Sequence, residues 1–100
     1  MYLIHVRLRA SGGATAPPGL AGIISSYAEE RDGLEHVAVH PDGSGGVTLG
    51  IFSLAPALAE AEAGAARLSA RAVADHPGLA GFAVLSVGAA LVPGPWWDAC

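Results

Sequence analysis

Residues Leu34 to Leu54 read LEHVAVHPDGSGGVTLGIFSL, and the topology of the chain follows from how this stretch is understood. Val37 and Val39 alternate with His36, Ala38 and His40, the two-residue period of a strand with one buried face. PDGSGG supplies turn chemistry, and VTLGIFSL resumes the strand pattern. Two strands joined so closely run antiparallel, because a parallel pair needs a crossover of a dozen or more residues. A hairpin therefore occupies the middle of the chain.

Each side of it repeats one pattern. Upstream, PPGLAGIISSYAEER places Leu20, Ile23, Ile24, Tyr27 and Ala28 at helical spacing, with Pro17 suited to a first turn and Asp32-Gly33 closing the segment. Ahead of that, YLIHVRLRA alternates Tyr2, Ile4, Val6 and Leu8 with Leu3, His5, Arg7 and Arg9, which predicts a strand. Downstream, PALAEAEAGAARLSARAVADH predicts a longer helix with Leu58, Ala61, Ala65, Leu68 and Ala72 as its apolar stripe. His76-Pro77-Gly78 ends it, and GFAVLSV predicts a last strand, apolar on both faces through Phe82, Val84, Leu85 and Val87. The order strand, helix, strand, strand, helix, strand corresponds to an α+β, ferredoxin-like βαββαβ fold. Its four-stranded antiparallel sheet is expected in the order 4-1-3-2, with two helices on one face. The domain is expected over residues 1–92, followed by a C-terminal tail, 93–100.

Composition narrows the function classes. The chain has 100 residues, 52% hydrophobic and 14% charged, enough for one domain with a real core. Formal net charge is -4, and the only strong cations are five scattered arginines with no lysine, so no basic footprint for a phosphate backbone is present and nucleic acid is not an expected partner. The apolar run Leu79 to Val92 is short of the roughly 20 residues of a membrane span, so no membrane partner is expected. MYLIHVRLRA lacks the pattern of a secretory signal, and the single cysteine, Cys100, forms no internal disulfide. A cytoplasmic location is the expectation.

The helix-free side of the sheet is expected to collect Leu3, His5, Arg7, His36, Ala38, His40, Thr48, Gly50 and Phe52. An apolar patch of this kind on a small domain marks an association site, and a homodimer is expected through it. His36 and His40 share a strand face but stand about 13 Å apart, at roughly 3.3 Å per residue. One zinc ion with bonds of about 2.0–2.1 Å cannot join two imidazoles at that separation. His5 lies two strands from them, a gap of roughly 9 to 10 Å, so no metal and no cofactor is expected. A histidine in this position can act as acid or base, but an interface or edge residue is the plainer assignment. Arg7 and Arg9 point the same way; either could grip a ligand carboxylate bidentately or form an ion pair. Trp96 and Trp97, in the tail VPGPWWDAC, are expected to pack on the sheet edge, a pocket mouth or a partner subunit. Glu29, Glu30 and Asp32 fit a solvated helix end, and Asp42-Gly43-Ser44 a hairpin turn.

Element order and face composition resemble the dimeric α/β barrel superfamily, in which two ferredoxin-like units pack their open sheet faces together. The segments YLIHVRLR and GLEHVAVHPD also resemble those of small uncharacterised actinobacterial proteins. The resemblance implies a homodimer with a small apolar or aromatic ligand between the sheets. The leading expectation is a ligand-binding or accessory protein of bacterial specialised metabolism, its ligand or interface residues being His5, Arg7, His36, His40, Thr48, Phe52, Trp96 and Trp97. The resemblance also admits a cofactor-independent monooxygenase or isomerase, and a pure interaction module is a third possibility.

Overall fold

Alternation along the first strand translates directly into burial: Ile4, Val6 and Leu8 are buried, His5 is half-buried, and Arg7 and Arg9 are exposed. The structure, a computed structural model, describes residues 1–41 and 45–89. Strand β1 (Tyr2–Ala10) leads to helix α1 (Leu20–Ser26) and a 3-10 turn (Glu30–Asp32). Strands β2 (Leu34–Pro41) and β3 (Val47–Ser53) follow, then helix α2 (Leu58–Asp75), a second 3-10 turn (Pro77–Leu79) and β4 (Phe82–Ala89). The strands form one antiparallel sheet in the order β2-β3-β1-β4, the expected 4-1-3-2 seen from the opposite edge. The first strand is thus flanked on both sides, which places its side chains at the middle of each sheet face.

Both helices join a single core. Leu20 and Ile24 of α1 and Ala61, Ala65, Leu68 and Ala72 of α2 close over Ile4, Val6, Val37, Leu49 and Ile51. Small residues on α2 let it lie close. A Cβ at Gly64 would stand 2.9 Å from the Asp32 carbonyl oxygen, so glycine is what admits the 3-10 turn against the helix. Leu58, expected on the buried stripe, is instead partly exposed at the helix start.

Three expectations need correction. Helix α1 is shorter than its apolar spacing suggests, because Gly19 takes φ 73°, a left-handed conformation from which the helix cannot run back to Pro17. At its other end the N–H groups of Tyr27 and Ala28 donate to Ile24 and Ser25, and the chain leaves the helical path. Second, Asp32 is not part of a solvated helix end, although Glu29 and Glu30 beside it are exposed as expected. The Asp32 side chain is only 1% exposed. Its Oδ2 accepts from the Glu29 N–H at 2.9 Å and from Arg71 Nη2 at 2.6 Å, and its Oδ1 from Arg67 Nε at 3.3 Å. Two guanidiniums of α2 compensate this buried charge, while the adjacent Arg31 pairs with Glu29 instead. Third, β4 has a water-facing side. Its pairing with β1 shifts between Arg7 and Leu8, which leaves Leu85 as an extra, 53% exposed residue.

The residues 42–44 and 90–100 lie outside the described part, so the expectations for the hairpin turn, the tail, Trp96, Trp97 and Cys100 fall outside it too. No helix among the described residues is long and apolar enough to cross a membrane.

Candidate functional site

Strand register assembles the helix-free face as rows running across the sheet. His36 stands beside Phe52, and Phe52 beside Leu3. The next row is Ala38, Gly50, His5 and Gly88. A third row holds His40, Thr48, Arg7 and Ser86, and beyond it Arg9 pairs with Ala83. Rows two residues apart along a strand are separated by roughly 6.6 Å. All six of the described candidates, His5, Arg7, His36, His40, Thr48 and Phe52, therefore share one face.

The middle row is nearly empty. Besides the Ala38 methyl, its one side chain is the His5 imidazole, between a glycine on each neighbouring strand. A methyl added at Gly50 would touch Leu3 Cδ1 at 3.4 Å and Ala38 Cβ at 3.6 Å, whereas one at Gly88 would meet nothing within 4 Å. The result is a trough floored by Gly50, His5 and Gly88, partly roofed at Gly50 by Leu3 and open at Gly88. Glycine within a strand commonly marks a place where another group comes close. Gly88, at the far end of the last strand, is a member of the site that sequence periodicity passes over; its signal is that glycine interrupting an otherwise apolar run.

The two rims differ in chemistry. One is apolar, with Leu3, Phe52 and His36, whose ring packs on Phe52 at 5.7 Å between centroids. The other is polar and cationic, with Arg7, His40, Thr48 and Ser86. The histidines are not brought together. His36 and His40 are separated by Ala38 along β2, and His5 lies two strands away. None of the three side chains hydrogen-bonds to a described residue, and among the described residues no group of three or more His, Cys, Asp or Glu side chains is placed to hold a metal.

The arginines divide sharply. Arg67 and Arg71 hold Asp32, Arg71 also donates to the Tyr27 carbonyl, and Arg31 pairs with Glu29 at 2.9 Å. Burial pushes the Asp32 carboxyl up, but the Glu29 N–H, the Arg71 hydrogen bond and the charges of Arg71 and Arg67 outweigh it and hold that carboxyl below the usual range. Arg7 and Arg9, the other two of the five, make no ion pair with a described residue. The fourth histidine, His76, is also spoken for: its Nδ1 accepts from the Gly78 N–H at 3.0 Å, and its ring meets Tyr27 edge-on. On the helix side, Tyr27 donates to Asp75 at 2.6 Å, and that hydrogen bond pushes the phenol above its ordinary range.

A separate cleft of about 400 Å³ opens between the first 3-10 turn, the β3–α2 loop and α2. Its arginines, Arg31 and Arg67, are those already paired with Glu29 and Asp32, and Glu30 and Glu60 line it as well. Both of its cations are thus already engaged. On the open sheet face, by contrast, the side chains of Arg7, Arg9, His5, His36 and His40 make no hydrogen bond or ion pair with a described residue. No protein-family model, curated protein or solved structure matches the chain, so the functional argument rests on this face.

Proposed function

We propose that the chain is a ferredoxin-like subunit of a homodimer, built as in the dimeric α/β barrels, that binds a small molecule between two open sheet faces. The observation that carries this reading is the empty middle row. Stacked sheets lie about 10 Å apart and fill that gap with interdigitating side chains. Here Leu3 and Phe52 supply apolar surface for such packing, while Gly50 and Gly88 leave space on either side of the His5 imidazole. Two copies of this face would meet at their rims and enclose a hollow edged by His5, Arg7, His36 and His40. A pure interaction module would have no use for that vacancy. The isomerase or oxygenase alternative has less behind it, because no described carboxylate orients any of the three histidines as a base. A single cysteine accords with a reducing bacterial cytoplasm as the setting.

The test combines sedimentation with thermal shift on the wild type and on Gly88→Leu. A side chain at Gly88 meets open space in the single chain, so the variant folds with little change in stability. It is expected to lose the thermal stabilisation that small aromatic compounds confer on the wild type. A chain that stays monomeric at high concentration, or a Gly88→Leu protein stabilised as strongly as the wild type, would overturn the reading.

A further inference from the structure

Three of the five arginines serve the contacts around Asp32 and Glu29, and the other two stand on the open face with no described ionic partner. An acidic chain thus places its uncommitted guanidiniums, with three of its four histidines, on one surface. Arg7 is on β1, with β3 and β4 on either side of it. In a face-to-face dimer it would therefore be covered by the partner sheet and not left at the outer edge of the contact. Burying an unpaired guanidinium is costly, and a two-fold axis would bury two of them.

We propose that the ligand is a flat apolar acid, an aromatic carboxylate, and that its binding and dimerisation are linked through Arg7. This rests on the reading that the open face is the dimer interface. The carboxylate accepts a bidentate pair from Arg7 on the rim that also holds Thr48 and Ser86, and the ring lies over Gly88 and His5 toward Leu3 and Phe52. The two rims are about 13 Å apart along the strands, room for a fused bicyclic ring with its acid group. Without the anion, the paired subunits carry uncompensated buried charge. With it, that charge is neutralised, so ligand tightens the dimer and, reciprocally, dimerisation tightens ligand binding.

Sedimentation equilibrium with 2-naphthoate, its neutral counterpart 2-naphthamide, and acetate tests the linkage. The dimer dissociation constant of the wild type is expected to fall at least tenfold in saturating 2-naphthoate and to stay unchanged in the amide or in acetate. Arg7→Leu, at an exposed position where the circular dichroism spectrum is expected to stay intact, is expected to dimerise at least tenfold more tightly than the wild type in plain buffer and to ignore 2-naphthoate. A wild-type dimer equally strong in naphthoate and naphthamide would overturn the proposal while leaving the dimer reading in place. An equal response to acetate would remove the aromatic part. A wild type that remains monomeric in every solution would overturn both.

Discussion

Replacing Asp32 by asparagine tests the account of what joins the two halves of this fold. The substitution keeps shape and removes charge. Asp32 offers two oxygens to three donors: Oδ2 to the Glu29 N–H and Arg71, Oδ1 to Arg67. Asparagine keeps one acceptor. Its least costly orientation leaves the oxygen in the place of Oδ2 and turns the NH₂ group toward the Arg67 guanidinium, the longest of the three contacts. One charged hydrogen bond is then lost, the Glu29 N–H bond loses its charged acceptor, and the Arg71 bond keeps its charged donor but is no longer an ion pair. Bonds to charged groups contribute about 1.5–3 kcal/mol, against about 1 kcal/mol for neutral ones. The arginine side chains remain 38% and 28% exposed and can recover some hydration, which trims the sum to about 2 kcal/mol. For a domain of this size that corresponds to a fall in Tm of roughly 8–16 °C. Urea unfolding followed by far-UV circular dichroism measures it directly.

The pH dependence gives a second check. A carboxyl held low in the folded state contributes stability that is fully present above its unfolded pKa, about 3.9, and is lost as pH falls through the lower folded value. The gap between wild type and Asp32→Asn is therefore expected to hold steady from about pH 7 to 5 and to close below about pH 4. A loss under about 0.5 kcal/mol, the scale of ordinary surface substitutions, would refute the reasoning. So would a gap that stayed constant down to about pH 2.

Ser69 carries a buried hydroxyl with no hydrogen-bond partner among the described residues, so Ser69→Ala is expected to raise stability by about 1 kcal/mol in the same urea assay; a loss of stability would mean that the hydroxyl is satisfied. Gly64→Ala should do the opposite, because a methyl 2.9 Å from the Asp32 carbonyl oxygen forces backbone apart. The alanine's helix propensity offsets part of that strain, and the expected net loss is about 1–2 kcal/mol. Thermal melts showing Gly64→Ala to be neutral or stabilising would refute the close approach of the turn to α2.

Periodicity carried most of the fold because the burial it encodes is local. Ile4, Val6, Leu8, Val37, Leu49 and Ile51 occupy alternate positions and are buried as alternation requires. The hairpin between two helical segments restricted the connections to those that give the order β2-β3-β1-β4. Helix α1 is shorter than Pro17 and the apolar spacing through Tyr27 and Ala28 suggest, because backbone conformation at Gly19 and after Ser26, and not hydrophobicity, sets its limits. The burial of Asp32 is hidden in the sequence for a similar reason. In sequence it is one acid among three, and its partners Arg67 and Arg71 come from 35 and 39 residues away.

The candidate site divides along the same line. That His5, Arg7, His36, His40, Thr48 and Phe52 share one sheet face follows from the two-residue period alone, since successive side chains of a strand point to opposite sides. Which of them are neighbours depends on register between strands distant in sequence. That register sets Gly50 and Gly88 on either side of His5, and the β4 shift turns Leu85 to the solvent. Facing is a property of one strand, and composition and spacing encode it. Adjacency is a property of pairs of strands, created when long-range hydrogen bonds and the common core bring them into alignment, and only the folded chain defines it.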